Sequence, residues 1–226
     1  MRPYERRTRR DGALLLLVSS CCLFSCGAAL APAVAPPLQK PAAVAFPDDL
    51  GPLPRYHSKR LALSLPLPDG AAWRIDDHSR PELVATHAPT QSRIVVAVMR
   101  TDALVGRTEC EALAREMKVV PSADLSILED EVAITQSTFD TRIRVALEAG
   151  TSPDRPLVGH VMAFGGFLRK CFVFHFSTEV GDASSFPVLS SRLAFARARI
   201  LGGLELDPFG SVSRDTPSGP GDAPLR

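Results

Sequence analysis

Ile94-Val95-Val96-Ala97-Val98-Met99 decides the reading of this chain, because both of its alternating sets of side chains are apolar. A strand apolar on both faces belongs in the middle of a sheet that is covered on both sides. The segments around it must therefore supply neighbouring strands and two covering layers. Upstream, Glu82 to Ala88 and Ala71-Ala72-Trp73-Arg74-Ile75 read as short strands, the latter reached through the turn Pro68-Asp69-Gly70. Further out, Leu61, Leu63, Leu65 and Leu67 alternate with Ala62, Ser64 and Pro66. That is the pattern of a strand with one buried face, and Pro66 predicts a position at a sheet edge.

Downstream the period changes to that of a helix. Thr108-Glu109-Cys110-Glu111 has the form of a capping box, with Thr108 as cap and Glu111 closing back on it. Cys110, Leu113, Ala114 and Met117 then recur on one inward face, and Pro121 predicts the end of the helix. Ile127 to Ser137 and Phe139 to Glu148 read as paired strands. In the second, Phe139, Thr141, Ile143, Val145 and Leu147 point one way, and Asp140, Arg142, Arg144 and Glu148 mostly the other. Leu157 to Phe164 and Phe167 to Ser177 form a hairpin for which Gly165-Gly166 is the expected two-residue turn, with Phe172, Phe174 and Phe176 on one face. A last helix carries Phe186, Leu189, Leu193, Ala196 and Ile200 inward, leaves Arg192 and Arg199 outward, and stops at Gly202-Gly203. The sum is an α+β fold, a mostly antiparallel sheet with two helices packed on it.

Leu63-Ser64-Leu65-Pro66 with Trp73 shortly after, a mid-chain helix, a long hairpin and Phe186 before a closing helix resemble the PsbP-like group of αβα sandwiches. That group includes photosystem extrinsic subunits, bacterial lipoproteins and a Ran-binding import factor. The resemblance spans about residues 60–206. It implies a role in binding or assembly rather than a shared catalytic site, and it carries over no functional residue.

The folded unit is expected over about 57–208. Before it, Arg2, Arg6, Arg7, Arg9 and Arg10 precede the apolar run Ala13 to Val18 and Leu23 to Phe24, the order of an export signal. The run fades short of the ~20 residues a transmembrane helix needs. Leu23-Phe24-Ser25-Cys26-Gly27 resembles a bacterial lipobox, which makes 1–25 a lipoprotein signal peptide and Cys26 the lipidated residue. Val18-Ser19-Ser20-Cys21 is the alternative, with Cys21 lipidated after a shorter apolar core, and an ordinary secretory signal cut near Ala29 to Ala31 is a third reading. Gly27 rather than Asp after Cys26 resembles the outer-membrane rather than the inner-membrane pattern. The expected location is thus the bacterial cell envelope, outside the cytoplasm, with the membrane held through the lipid. Residues 26–56 are rich in Ala and Pro and read as a linker that contributes few apolar side chains to a core, and 209–226 as a disordered tail.

The whole chain has 226 residues with 26 Lys+Arg against 25 Asp+Glu. Losing residues 1–25 leaves 21 basic and 23 acidic side chains, so no basic face is expected and no nucleic acid as partner. The sequence lacks G-x-S-x-G, the phosphate-binding G-x-x-x-x-G-K-[ST], H-E-x-x-H and C-x-x-C. No catalytic residue, cofactor or metal is assigned, and a non-enzymatic domain that binds a protein or envelope component is the leading expectation. A small-ligand carrier with a cleft between sheet and helix is the runner-up, and an extracytoplasmic hydrolase comes third.

Asp76-Asp77-His78 reads as turn residues rather than cation ligands, and His87 with Ser92 as hydrogen-bonding partners about a turn rather than base and nucleophile. His175 reads as a packed or half-exposed side chain. Arg142, Arg144, Arg192, Arg197 and Arg199 offer either an anion-attracting surface or ordinary solvated faces. Once the signal is removed and Cys26 acylated, Cys110 and Cys171 remain. An even pair outside the cytoplasm suggests a disulfide, provided that the first helix covers the sheet face opposite the Phe row. Two separate buried thiols are the alternative, and His160, placed opposite Cys171 by a Gly165-Gly166 turn, would open a Cys/Cys/His metal option.

Overall fold

The structure, a computed structural model, describes residues 43–47, 51–121, 124–135, 138–148 and 156–207. The signal segment, Cys21, Cys26, most of the linker and the tail at 209–226 lie outside the described residues. In chain order the elements are β1 (Arg55–Ser58), β2 (Leu63–Pro66), β3 (Trp73–Asp76), β4 (Leu83–His87), β5 (Ser92–Arg100), α1 (Arg107–Glu116), β6 (Leu125–Thr135), β7 (Phe139–Glu148), β8 (Leu157–Phe167), β9 (Lys170–Val180), α2 (Phe186–Phe195) and β10 (Glu205–Leu206). A wider, π-helical turn, Ala196–Leu201, continues α2.

The two-sided apolar strand is β5, third in an antiparallel seven-stranded sheet of order β3-β4-β5-β9-β8-β7-β6. Ile94, Val96 and Val98 join one core with Phe172, Phe174, Phe176, Leu189 and Leu193, whereas Val95 and Ala97 join another with Cys110, Ala114 and Val173. Helix α1 packs on β7, β8 and β9 from the second side, and α2 on β8 and β9 from the first. The fold is α+β, as expected.

Five local readings are corrected. Strand β2 is the middle of a small sheet of order β1-β2-β10, not an edge, and both its faces are buried. Pro66 is tolerated because β10 reaches only Leu63 and Ser64, so that side asks no donor of Pro66. Second, the β8–β9 turn is at Leu168-Arg169, since Phe167 pairs with Lys170. Gly165 and Gly166 are strand residues selected by crowding: a Cβ on Gly165 would stand 2.0 Å from the Phe172 ring, and one on Gly166 2.6 Å from the Gly106 backbone. This register puts His160 opposite Ser177 and leaves Gly166 opposite Cys171, which removes the Cys/Cys/His option.

Third, the cap of α1 is Gly106, whose N–H donates to Glu109 (2.9 Å), so the capping acid is Glu109 and not Glu111. The helix ends before Pro121, where Lys118 adopts φ 56° and Val119 and Lys118 donate back to Ala114 and Arg115. Met117 at that end is exposed rather than inward. Fourth, the folded part begins before His57. β1 starts at Arg55, and Phe46 is buried, stacking on Phe195 with ring centroids 5.1 Å apart. Fifth, Arg192 is buried rather than outward. Cys110 and Cys171 form a disulfide with Cα atoms 5.5 Å apart, made possible because α1 covers the face of β9 opposite the Phe row.

Candidate functional site

On the face carrying Phe172, Phe174 and Phe176 the covering elements do not reach the whole sheet. The leucines of β2 and its flanks share the core with β4 and β5, and α2 lies over β8 and β9. Strands β6 and β7 therefore extend beyond α2, and a cleft of about 650 Å³ opens between them and the α2 helix with its π-helical turn. Its floor is Ile143 and Val145 of β7, and its helix wall carries Leu193, Ala194 and Ala198. Leu128, Ile134 and Phe186 stand exposed around it. The volume falls within the range of ligand pockets, about 300–1,000 Å³, and the mix of apolar lining with few polar groups is also theirs.

The charged groups lining the cleft form one constellation. In the β6–β7 register Glu129 opposes Val145 and Glu131 opposes Ile143, which directs both carboxylates to the α2 side of the sheet. Arg197 reaches from the π-helical turn and donates to both of them. This ion-paired bridge joins the two walls of the cleft at its solvent side. Phe186, assigned to the inward face by helical spacing, instead lines the cleft and is exposed, because it stands at the first position of α2 against this unfilled space rather than against a packed core.

The residues singled out for chemistry are mostly brought into structural roles. His87 Nδ1 lies 2.7 Å from Thr90 Oγ1, Thr90 donates to Ser92 Oγ (2.8 Å) and Ser92 to Thr178 Oγ1 (2.9 Å). Since the Thr90 proton goes to Ser92, His87 donates from Nδ1, which leaves the lone pair on Nε2. Nε2 has no hydrogen-bond partner among the described residues and stands 3.9 Å from Asp69 Oδ2. Burial holds the His87 pKa down, Asp69 opposes, and Arg192 adds to the depression. Phe46 and Trp73 pack on the imidazole, with ring centroids 5.7 and 5.0 Å away. Arg192 closes the network from α2: Nη1 donates to Thr90 O (2.8 Å), Thr178 Oγ1 (3.1 Å) and Glu179 O (3.0 Å), and Nε to Val44 O (2.7 Å). A guanidinium can be buried among carbonyls because its fixed fork of donors meets several acceptors at once.

Under α1 lies a second histidine cluster. His175 Nδ1 faces Val119 O (3.0 Å), an acceptor only, so it carries a proton; Nε2 then accepts from His160 Nδ1 (3.0 Å). His160 Nε2 is left with its lone pair 3.3 Å from Glu148 Oε1, a contact that becomes attractive only when that nitrogen is protonated. Burial lowers both histidines, His175 to about 4 with His160 adding to the effect, while Glu148 pulls His160 the other way. The depressed values favour the uncharged form of both rings.

Asp76 caps its own turn through the N–H groups of His78 and Ser79, while Asp77 is buried against Arg60 (2.9 Å) and Tyr56 (3.1 Å). Among the described residues no three His, Cys, Asp or Glu side chains converge as metal ligands. The five arginines do not make one surface. Arg142 and Arg144 pair with Asp130, and Arg144 also with Glu111. Arg199 donates to Gly51 O.

No family model matches the chain, and no curated protein matches it. Solved structures similar to it include a Bacteroides thetaiotaomicron protein, 11% identical with a TM-score of 0.41, the match covering 71% of this chain and 51% of that one. Another is LpqN, a protein involved in cell envelope biogenesis of Mycobacterium tuberculosis, 14% identical with a TM-score of 0.40, covering 65% of this chain and 83% of that one. The chain thus spans about half the length of the Bacteroides protein. Likenesses of this size carry no argument about function. No described helix is long and apolar enough to cross a membrane.

Proposed function

We propose that this chain is an extracytoplasmic lipoprotein of the bacterial envelope, anchored through Cys26 with the outer membrane as its station, whose domain binds a small apolar or amphiphilic molecule in the β6–β7/α2 cleft without catalysing a reaction on it. The observation that carries the reading is the cleft itself: apolar side chains left exposed along an uncovered end of the sheet, with one ion-paired bridge across their mouth. Apolar surface gathered in a concavity is stabilised when a ligand removes it from water. Binding is favoured over hydrolysis because the hydroxyl–imidazole chain found among the described residues is buried, its imidazole packed against Phe46 and Trp73 and its hydroxyls bonded to each other. The layering of α1 and α2 on opposite faces also suits a PsbP-like domain, and we include that family reading in the proposal.

The test uses anilinonaphthalene sulfonate and a series of saturated fatty acids as displacing ligands. Fluorescence enhancement that falls as longer chains displace the dye, and that is lost when Ala198→Trp fills the cleft from its exposed wall, is the expected result. Unchanged dye binding in Ala198→Trp places the apolar site elsewhere and overturns the reading. Anchoring is tested separately by Cys26→Ala, which should abolish lipid labelling.

A further inference from the structure

The β8–β9 hairpin turns on Leu168 and Arg169, and Leu168 takes a left-handed backbone, φ 53°. Glycine, asparagine or aspartate suits such a position, because a Cβ is crowded there. A leucine with its side chain 57% exposed serves neither the turn nor a core. Leu104, in the loop before α1, is 72% exposed, the highest value among the large apolar residues described. The two loops are braced together: Val105 N–H donates to Leu168 O (2.8 Å) and Thr101 N–H to Arg169 O (3.0 Å). Beside Leu168 a notch of about 310 Å³ is lined by Arg100, Asp102, Arg169 and Lys170 among others. Arg100 and Arg169 are exposed, whereas Lys170 is buried and donates to Asp207 O.

We propose that this tip is a membrane-contacting surface, on which Leu104 and Leu168 enter the boundary of the acyl region while Arg100 and Arg169 take the phosphates of an anionic phospholipid layer. Two aliphatic side chains on a convex turn leave water fully only in a phase they can penetrate; a protein partner would need matching pits. The charges agree, since Arg100, Arg169 and Lys170 exceed the two carboxylates of Asp102 and Asp207, and the two exposed arginines would stand at headgroup level with the leucines below them. The proposal depends neither on ligand binding in the cleft nor on a lipid at Cys26. Anchoring at the N-terminus brings a chain to a membrane, whereas the tip would set which side of the domain faces it.

The experiment places single tryptophans in the full chain, as Leu104→Trp and Leu168→Trp, with Met117→Trp at the other end of α1, about 15 Å along the helix, as reference. The native Trp73 is buried and supplies a constant background. Vesicles of phosphatidylcholine, with and without phosphatidylglycerol, carry brominated acyl chains as contact quenchers. The tip tryptophans should shift to the blue and be quenched when phosphatidylglycerol is present, and far less without it or at high salt, with Met117→Trp unaffected. Arg100→Ala and Arg169→Ala should each weaken partitioning by about fivefold. Equal quenching at all three positions overturns the proposal, because the N-terminal segment alone would then explain contact. Absence of quenching at the tip overturns it too and favours a protein partner. Leu104→Trp lies outside the hairpin turn, so its result stands even if Leu168→Trp disturbs the fold.

Discussion

The seven-stranded sheet is finished in opposite ways at its two ends. At the β3–β5 end polar groups are sealed: His87, Thr90 and Ser92 are buried, Phe46 and Trp73 pack on the imidazole, and Arg192 enters from the helix to satisfy carbonyls of three segments. At the β6–β7 end apolar groups are left in water, with Leu128 and Ile134 beside a cleft whose only strong polar feature is the Arg197 bridge. Burying polar groups costs free energy unless every one is bonded, and exposing apolar ones forgoes burial. The first end therefore behaves as an interlocked structural unit and the second as a surface kept open for something else.

The largest effect is expected at the sealed end. Arg192→Met keeps the volume but removes the donors to Val44, Thr90, Thr178 and Glu179, and should cost about 3–5 kcal/mol, as loss of one partner from a buried charged network does. Denaturant unfolding of the full chain measures it; a loss below about 1 kcal/mol would mean that water replaces the guanidinium and that the end is not sealed. Phe46→Ala follows, at about 3 kcal/mol from the lost packing on Phe195 and His87. If Phe46→Ala proves neutral, the segment at 43–47 is a passive tether rather than part of the core.

Next comes acid. His87, His160 and His175 all have depressed pKa values in the folded chain, so the unfolded chain binds their protons first. Their contribution to stability is present above the unfolded histidine pKa of ~6.5 and is lost as pH falls through the folded values. For His175, with a folded value of about 4, the loss approaches ~3 kcal/mol once the pH is below that value. His175→Asn keeps a donor toward Val119 and should flatten the stability profile between pH 6.5 and 4. An unchanged slope would assign the acid sensitivity to carboxylates instead.

The smallest effect belongs to the open end. Arg197→Ala should change stability by less than ~1 kcal/mol, since the bridge is exposed, while speeding dye entry into the cleft in stopped-flow measurements. A large stability loss there, with unaltered entry, would erase the contrast between the ends.

Much of the fold was legible because burial repeats with the period of the element. Two-sided apolarity located β5 inside the sheet, the alternation of Phe139 to Glu148 defined β7, and the opposed positions of Cys171 and the Phe row made the disulfide conditional on where α1 lies. The cleft was less legible. Glu129 and Glu131 occupy the sheet face that Ile143 and Val145 make apolar in the neighbouring strand, a signal that a covering element is missing there, but it can be read only once the β6–β7 register, with its shift between Ile127 and Glu129, is known. Leu104 and Leu168 gave no periodic signal at all, since loops have none.

What this sequence determines by itself is the local character of its parts: which segments are strands or helices, and which face of each is apolar. Only the tertiary structure decided that Arg192 is inside, that Phe46 belongs to the core, that Gly165 and Gly166 yield space to Phe172 and Gly106 instead of turning the chain, and that β6 lies uncovered. The reason is that periodicity records a side chain's relation to its own backbone, whereas coverage is supplied by elements far away in the chain. Val44 and Arg192 are separated by 148 positions, and no local pattern in either segment specifies the other.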